Sequence, residues 1–515
     1  MARALKPNEI LAKALNKAKE VEIGGIVKGT DLDRSTRQIL SREGWLTEVI
    51  RNWYMLVQPI AEADIKGTSS AWYANFWTFL SCYLKDRFGD GYCLSAESSV
   101  DRYSGETLIP TQVIVLTQKK SNQNLPLPFE TSIFMHDRGF PEEVGRSGNL
   151  NSMKIEEAIV RLGATYFQRK PANAEIAIHS VLSADVSKAL LNMNSPAASG
   201  RLIGIYRHLG KIEDADRIEQ DSKAAGIQPK ISNPFESEPI LFGQSRLASP
   251  YVGRIKAMWS SLRDQIIAMF PPPSKIEQSK AVIEKIYEQD AYHSLSIEGY
   301  QVTVDLIQKI AEGSWDPNIE PSDQEQLDAM AAKGYYEAFK CVVNSIQRSH
   351  NENVGSVFSS DLANWYRELF SPLVKAGLAK PGDLAGYRSG QVFIRGSRHV
   401  PPAKEAVLDA MESLFELISS EPEASVRAVL GHYLVGFIHP YMDGNGRIAR
   451  FLMNLMLVHG GYNWTVIRVE KRTDYLAALE KITIQNDISD FVKVISTEMS
   501  FWELEMKKII KEVGG

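Results

Sequence analysis

Apolar side chains recur every three or four residues through most of the C-terminal half of the chain, which predicts amphipathic and buried helices. One such stripe ends at Phe437, and Pro440 disfavours helical geometry at His439, so a helix end is predicted there. A new stripe begins near Asn445. The helices predicted in this way cover approximately residues 276–296, 302–313, 324–349, 361–373, 403–419, 424–438, 445–459, 472–481 and 488–513. Residues 251–515 are therefore expected to form an all-α domain with one β-hairpin, Tyr387–Ser389 against Val392–Ile394.

The first 65 residues combine helical and strand-like patterns. Asp33 is a candidate N-cap, Gly44 suits a helix end, and strand-like runs follow at 46–50 and 53–57. Helices followed by a β-ribbon are typical of a winged helix-turn-helix, whose third helix enters the DNA major groove. Surface arginines are also common in small domains that bind no DNA, so that alternative stays open. The third helix would direct three arginines outward, namely Arg34, Arg37 and Arg42.

Three further segments precede the helical domain. Residues 66–150 are predicted to be an α+β domain, 151–228 a helical domain, and 229–250 a linker rich in proline and serine. The order of elements, together with the run Tyr92–Ser99, resembles the AbiEi-type family of antitoxins and regulators. That resemblance implies a winged helix that binds DNA, and autoregulation, rather than an enzyme activity in this half.

Composition narrows the class of protein. A chain of 515 residues with a formal net charge of -5 gives no whole-chain argument for binding nucleic acid or a membrane. Its three cysteines are too few and too scattered for a disulfide scaffold or a zinc site. No secretory signal is visible, and no apolar run approaches the roughly 20 residues that a membrane span needs. We therefore expect a cytoplasmic protein without a membrane partner.

A dense polar motif lies between two of the predicted helices. His439 titrates near neutrality and could accept a proton from a hydroxyl, and Asp443 is a hard oxygen ligand suited to Mg²⁺. Gly444 and Gly446 let backbone amides approach phosphate oxygens ahead of a new helix. Two arginines, three residues apart, could each hold a polyphosphate oxygen, and these are Arg447 and Arg450. Such a set predicts a site for a nucleotide polyphosphate, a metal ion and a hydroxyl nucleophile.

The pattern His-x-x-x-Asp-Gly-Asn-Gly-Arg-x-x-Arg from His439 to Arg450 resembles the signature of the Fic (filamentation induced by cAMP) family. Tyr441 stands where that family usually has Phe. The resemblance implies transfer of AMP from ATP to a protein Ser, Thr or Tyr hydroxyl, with release of pyrophosphate. It implies that His439 is the base and that Asp443 holds Mg²⁺. The nucleotide contacts that it implies are the Gly444 to Gly446 amides, the Asn445 side chain, Arg447, Arg450 and, for adenine, Tyr475.

The resemblance also implies partners. ATP is the expected substrate and a protein of unknown identity the target, with self-modification expected and a homodimer left open. The segment from Gly386 to Gly396 resembles the family's flap, whose edge pairs with the backbone of the target. The target-contacting residues would be Gly386, Tyr387, Arg388, Val392, Phe393 and Ile394.

A second motif lies upstream of the signature. Ser294 and Glu298 are four residues apart on one predicted helix, and Gly299 suits its end. The spacing matches the family's inhibitory pattern, although Tyr300 stands where Asn is usual. The resemblance implies that Glu298 pairs with Arg450 and mis-seats ATP, and that the same glutamate could support removal of AMP from the target.

Two other functions compete with this interpretation. The first is a DNA-binding transcriptional regulator whose C-terminal domain only senses nucleotides, and such a sensor would need the arginines but not His439. The second is a metal-dependent nucleotide hydrolase or phosphotransferase, which would need more carboxylate or histidine ligands than the motif supplies.

Overall fold

The computed structural model describes residues 7–59, 65–241, 247, 249–273, 280–315 and 323–513. It divides into two compact units, Met1–Arg254 with Val392–Val400, and Ile255–Gln391 with Pro401–Gly515. The chain thus leaves the first unit just beyond the predicted linker, of which residues 242–246 and 248 lie outside the described residues. Among the described residues, no helix is long and apolar enough to cross a membrane.

The N-terminal part of the first unit combines two helices with a small sheet. Its elements are α1 (Pro7–Val21), β1 (Ile26–Lys28), α2 (Arg34–Arg42), β2 (Leu46–Ile50) and β3 (Trp53–Leu56), with a 3₁₀ turn at Gly29–Asp31. The strands are antiparallel in the order β1-β3-β2. Asp33 accepts a hydrogen bond from the Thr36 N–H at 2.9 Å, which confirms the predicted N-cap of α2. The β2–β3 ribbon turns at Asn52, whose φ of 69° suits an asparagine.

A mixed six-stranded sheet forms the middle of the first unit. Its elements are α3 (Ile65–Phe88), β4 (Tyr92–Leu94), α4 (Ala96–Tyr103), β5 (Gln112–Thr117), β6 (Asn122–Leu127), β7 (Thr131–His136), β8 (Val144–Ser147) and β9 (Leu150–Met153). The strand order is β6-β7-β5-β4-β9-β8. Ile133 and Met135 are buried two positions apart on β7, as the period of a strand requires, and pack in one core with aromatic residues of α3. Trp72 of α3 donates to the Thr131 hydroxyl at 3.0 Å.

Helices complete the first unit, and an extended segment packs on one of them. They are α5 (Ile155–Arg161), α6 (Ala164–Arg169), α7 (Pro171–Ser180), α8 (Ser183–Met193), α9 (Pro196–His208) and α10 (Ile212–Ala224). A side chain at Gly200 would collide with the Lys230 carbonyl, and one at Gly204 with the Ser232 carbonyl. Part of the predicted linker therefore lies tightly against α9, where only glycine leaves room for it.

The second unit is helical, as predicted. Its helices are α11 (Pro250–Met269), through which the chain enters it, α12 (Lys280–Glu298), α13 (Val304–Glu312), α14 (Asp323–Ser349), α15 (Val354–Lys375), α16 (Val407–Ser420), α17 (Ala424–Ile438), α18 (Asn445–His459), α19 (Arg472–Gln485) and α20 (Ser489–Val513). They share one hydrophobic core, and α18 lies at its centre against α12, α14, α15 and α17. Both α17 and α18 have the predicted bounds, whereas the predicted start of α12 at residues 276–279 lies outside the described residues.

The predicted β-hairpin is wrong, because neither Tyr387–Ser389 nor Val392–Ile394 is a strand. Within the second unit, the Arg388 N–H donates to the Pro440 carbonyl at 2.9 Å instead of to a paired strand. Within the first unit, the chain after Ile394 pairs elsewhere, since the Val400 N–H donates to the Thr107 carbonyl at 3.0 Å. One backbone donor of the predicted hairpin, the Arg388 N–H, is thus taken up by another segment.

Candidate active site

The polar motif forms a tight loop between α17 and α18. His439 ends α17 in the left-handed region, with φ 53° and ψ 60°, and Pro440 prevents the helix from continuing. Gly444 caps α18 with φ 83°, and a Cβ there would lie 2.7 Å from the Phe370 ring. Glycine is therefore required both by the backbone conformation and by the close packing at this position.

The side chains within the loop hold it in shape. Asn445 is buried, and its amide oxygen and nitrogen pair with the N–H and carbonyl of Tyr441, each at 2.9 Å. The Tyr441 ring stacks on Tyr366 with a centroid distance of 3.7 Å, so a tyrosine fills the position where Phe is usual. The structure thus gives the Asn445 side chain a different task from the predicted phosphate contact, because it braces the backbone of the loop.

His439 is placed and tuned as a proton acceptor would need to be. Its ring Nδ1 lies 3.2 Å from the Gly436 carbonyl, which fixes the orientation of the imidazole. Burial lowers the pKa of His439 below its ordinary value, and the positive charge of Arg388 acts in the same direction. The Gly436 carbonyl and the carboxylates of Glu298 and Asp443 work against this change. The imidazole is consequently neutral at pH 7, the form that can accept a proton.

Asp443 and Arg447 form an ion pair at the first turn of α18. Arg447 Nη2 donates to Asp443 Oδ2 at 2.9 Å, and the Gly444 N–H donates to Oδ1 at 2.6 Å. The arginine side chain is wholly buried, whereas that of Asp443 is 58% exposed. Arg447 Cζ lies over the rings of Tyr300 and Phe370, 5.2 and 5.0 Å from their centroids. Because Arg447 Nε and Nη1 make no hydrogen bond, part of its donor capacity is left for a ligand oxygen.

Arg450 is engaged by the end of α12. Its Nε donates to the Ser294 hydroxyl at 2.8 Å, and its Nη2 donates to Glu298 Oε1 at 2.6 Å and to the Ser294 carbonyl at 3.1 Å. A Cβ at Gly446 would collide with the Glu298 carboxylate, so that carboxylate also lies against the first turn of α18. Burial works to lower the pKa of Arg450, but the Glu298 charge outweighs it and the pKa is raised. Glu298 therefore occupies the place beside an arginine and a helix N-terminus where an anion is most stable.

The turn after α12 fixes Glu298 in this position. Gly299 has φ 95°, and the Tyr300 N–H donates to the Leu295 carbonyl at 3.1 Å, so the helix ends in a left-handed cap. Arg472 Nε donates to the Ile297 carbonyl at 2.8 Å. The last turn of α12 is thus held both by its own cap and by the start of α19.

Comparison with known proteins gives the site a family. The Fic/DOC family profile matches residues 358–457, which include the loop and both arginines. The chain is 31% identical over 271 residues to "Protein adenylyltransferase Fic" of Nematostella vectensis, covering 52% of this chain and 59% of the relative. It is 23% identical over 351 residues to "Protein adenylyltransferase fic-1" of Caenorhabditis briggsae, covering 67% of this chain and 63% of the relative. Residues 358–457 form a Fic domain. It spans less than two thirds of the length of these two relatives.

Solved structures of Fic proteins also resemble this chain. Fic-1 of Caenorhabditis elegans is 19% identical, with 67% of this chain and 99% of that chain covered and a TM-score of 0.38. A Fic domain containing signaling protein from Bacteroides thetaiotaomicron is 19% identical, with 51% of this chain and 98% of that chain covered and a TM-score of 0.36.

The residue predicted to contact adenine belongs to the core of the second unit. Tyr475 is 2% exposed, its hydroxyl lies 2.9 Å from His432 Nε2, and its ring packs against His432 and Phe491. Burial lowers the pKa of His432 to about 3, so this partner is a neutral imidazole. Tyr475 has no open ring face for adenine in this structure, and the prediction is corrected accordingly.

The residues predicted as a target-binding flap are divided between the two units. In the Fic domain, Gly386 is exposed with φ 72°, the Tyr387 ring lies 5.8 Å from that of Tyr441, and Arg388 is buried. In the first unit, Val392 is buried, Ile394 is half-buried and Phe393 is 53% exposed. Arg388 does not face outward, so its assignment as a target contact is corrected.

Sequence reasoning missed three side chains that shape the site. Phe370 and Tyr300 flank Arg447, and Arg472 holds the end of α12. Tyr300 was noted in the sequence only as a departure from the usual Asn after Glu-Gly, and its contact with Arg447 was not predicted. Phe370 carries no signal in the sequence, because only the packing of α15 brings its ring to the loop.

The predicted DNA-contacting arginines lie on α2 of the first unit. Arg34 is exposed, and Arg42 is exposed with an ion pair to Glu43 at 2.9 Å. Arg37 is only half-buried, and its Nη1 would be 3.2 Å from a Cβ at Gly29, so this side chain lies along the 3₁₀ turn. Two of the three arginines therefore extend into solvent.

Proposed function

We propose that this chain is a protein adenylyltransferase, which transfers AMP from ATP to a Ser, Thr or Tyr hydroxyl of a target protein and is restrained by Glu298. The observation that carries the proposal is the arrangement around α18. A neutral, oriented His439 ends one helix, and Arg447 and Arg450 lie on the first turns of the next. Relatives named as protein adenylyltransferases support it.

The reaction follows from this arrangement. The target hydroxyl attacks the α-phosphorus of ATP while His439 accepts its proton. A bond forms between the hydroxyl oxygen and the α-phosphorus, and the bond from that phosphorus to the bridging oxygen of the β-phosphate breaks, so that pyrophosphate leaves. The Arg447 donors that make no hydrogen bond, with the Asn445 and Gly446 amides at the start of α18, stabilise the negative charge on the phosphates, whereas the Gly444 amide is engaged by Asp443.

Asp443 suits a magnesium ion that arrives with the nucleotide. Its carboxylate is more than half exposed, and each oxygen retains lone pairs beyond its single hydrogen bond. One carboxylate is enough for Mg²⁺ when substrate phosphates supply further oxygen ligands. Such an ion would neutralise phosphate charge near the bond that breaks. Asp443 would hold it, and Arg447 keeps Asp443 in place.

Glu298 restrains this reaction by competing for Arg450. An arginine can satisfy a carboxylate or a phosphate fully, but not both at once. While Glu298 accepts from Arg450 Nη2, a γ-phosphate cannot take that position, and ATP binds in a register unsuited to transfer. Removal of AMP by the same glutamate remains part of the proposal.

Labelled nucleotide tests the proposal directly. The Glu298→Gly protein is incubated with α-labelled or γ-labelled ATP and the protein fraction is counted. We expect protein-bound label only from α-labelled ATP, and an added mass of one AMP on the protein itself or on proteins of a native lysate. Protein label from γ-labelled ATP would indicate a phosphotransferase. ATP binding without any label would leave the nucleotide sensor as the better function.

We also propose that the N-terminal part is a winged helix that binds DNA, as in AbiEi-type regulators. The order of α1, β1, α2, β2 and β3, with the sheet order β1-β3-β2 and exposed Arg34 and Arg42, supports this function. Electrophoretic shift of the protein's own promoter region tests it. Binding that weakens with salt and is reduced by changing both arginines to alanine is expected, whereas no binding at low salt would refute it.

A further inference from the structure

Arg388 makes an unusual set of contacts for a residue predicted to meet a target protein. The side chain is 5% exposed. Its Nε donates to the His439 carbonyl at 2.8 Å, its Nη1 to the Gly390 carbonyl at 3.0 Å and its Nη2 to the Pro402 carbonyl. Its backbone N–H donates to the Pro440 carbonyl at 2.9 Å. Arg388 thus donates to the carbonyls of the two residues that follow α17.

These carbonyls need an outside donor. The last carbonyls of a helix have no partner within it, and the His439 and Pro440 carbonyls follow directly after Ile438, the last residue of α17. His439 adopts a left-handed conformation that residues other than glycine rarely adopt, and surrounding contacts must hold it there. Its own N–H donates to the Val435 carbonyl at 2.9 Å, which fixes one side of the residue. Arg388 fixes the other side by binding the His439 carbonyl.

The imidazole ring of His439 is oriented by a different contact from the one that holds its backbone. The place of the ring in the site therefore depends on the backbone conformation of His439. Nδ1 lies 3.2 Å from the Gly436 carbonyl, which orients the ring relative to α17. The ring is attached through Cβ to a Cα atom, and the peptide groups on either side set the position of that Cα. A rotation of the His439–Pro440 peptide group would therefore move the ring relative to the phosphate-binding turn of α18.

We propose that Arg388 is a positioning residue for the transfer reaction: it holds the His439 backbone in the conformation that aims the imidazole, and ties that backbone to the turn at Gly390. This inference rests on the proposed function of His439 as the base. Through Gly390, the segment that leads toward the predicted target-binding residues is fixed to the same guanidinium. The backbone of the base, His439, and the start of that segment at Gly390 are consequently held at a fixed distance by one side chain.

The test uses the full chain with Glu298→Gly as the active parent. Arg388→Met removes the charge and the side-chain donors at similar length, and Arg388→Lys retains the charge but not the fork of N–H groups. Arg367→Met, at an exposed arginine of α15 that contacts Asn364, is the matched control. Each variant is assayed for kcat and KM for ATP with α-labelled nucleotide, for ATP affinity without turnover, and for thermal unfolding.

We expect Arg388→Met to lower kcat by about 100-fold, the effect of a catalytic group misplaced by about 1 Å, with the ATP affinity of the parent retained. Arg388→Lys should lower kcat less, and Arg367→Met should match the parent. Unchanged kcat in both Arg388 variants would overturn the inference. A loss of kcat equal to the fraction of protein that is unfolded at the assay temperature would also overturn it, because such a loss would be an effect of stability alone. A parent without transfer activity would instead refute the proposed function.

The pH profile separates positioning from general destabilisation. Burial and the charge of Arg388 lower the pKa of His439. The Gly436 carbonyl and the carboxylates of Glu298 and Asp443 raise it. A base works when deprotonated, so removing the Arg388 charge should raise the pKa and shift the acid limb of kcat/KM to higher pH in Arg388→Met. Arg388→Lys should leave the limb near that of the parent. An identical limb in Arg388→Met and the parent would count against contact between this residue and the base. If Arg388→Met does not fold, a lower kcat in Arg388→Lys at unchanged ATP affinity supports the inference, and parental kcat there overturns it.

Discussion

Replacing Glu298 with glycine should release the restraint on AMP transfer. The carboxylate binds Arg450 Nη2 at 2.6 Å, where the arginine is 4% and the glutamate 26% exposed, so water screens the pair only partly. A hydrogen bond to a charged group contributes about 1.5–3 kcal/mol. If this hydrogen bond accounts for the free-energy difference between the state with Glu298 on Arg450 and the state that binds ATP productively, its loss corresponds to a roughly 10- to 150-fold gain in productive ATP binding. We expect AMP incorporation at subsaturating ATP to rise by about the same factor.

The assay compares initial rates of label incorporation from α-labelled ATP. Glu298→Ala separates loss of the carboxylate from the added backbone freedom of glycine, and both variants should be activated. Glu312→Gly is a matched control, because Glu312 also ends a helix, α13, and is also followed by a left-handed glycine, Gly313. It should leave the rate unchanged. Equal rates and an equal KM for ATP in Glu298→Gly and the unaltered protein would refute the competition between Glu298 and a phosphate.

Other consequences of the structure can be tested in the same system. His439→Ala in the Glu298→Gly background should abolish transfer, as measured by radiolabel counting. It should leave ATP affinity, as measured by calorimetry, within about twofold, because the imidazole acts on the nucleophile and not on the phosphates. The acid limb of kcat/KM should lie below the ordinary histidine pKa of 6.5, since the pKa of His439 is lowered, and the rate should be flat from about pH 7 to 8. Gly200→Ala should destabilise the first unit by about 1–3 kcal/mol in urea unfolding, because the new methyl group meets the Lys230 carbonyl. Tyr300→Leu should weaken ATP binding roughly 2- to 30-fold through loss of the cation–π contact with Arg447, with Tyr300→Phe as the control.

The sequence predicts the helices and the loop of the site well, because local chemistry sets both. Pro440 stops α17, and Gly444 permits the left-handed cap before α18, so these bounds follow from residue types alone. The contact between Glu298 and Arg450 spans two helices far apart in the sequence, and it could be anticipated only through the family pattern.

The features that the sequence could not predict depend on hydrogen-bonding and packing partners that are distant in the sequence. Arg388 was predicted to face a target, yet the carbonyls that need its donors lie in a distant loop. The hairpin prediction is wrong for a related reason, since strand-like residue types are a context-dependent signal and the Arg388 N–H donates to the Pro440 carbonyl instead. The adenine contact of Tyr475 was implied only by the family resemblance, and its burial beside His432 is set by the packing of α17, α19 and α20.

The end of α12 contacts both signature arginines, and the two contacts should have opposite effects on ATP. Glu298 takes an N–H group of Arg450, the part of a guanidinium that a phosphate also needs, so the two acceptors compete. Tyr300 instead lies with its ring under Arg447 Cζ, where Nε and Nη1 remain without hydrogen bonds, so the ring steadies the cation without using its donors. If α12 had to leave the site for ATP to bind, Tyr300→Leu and Glu298→Gly would both improve binding. Weaker binding in Tyr300→Leu together with stronger binding in Glu298→Gly would instead indicate that activation moves the Glu298 side chain alone, with the cap at Gly299 and the Tyr300 contact kept in place.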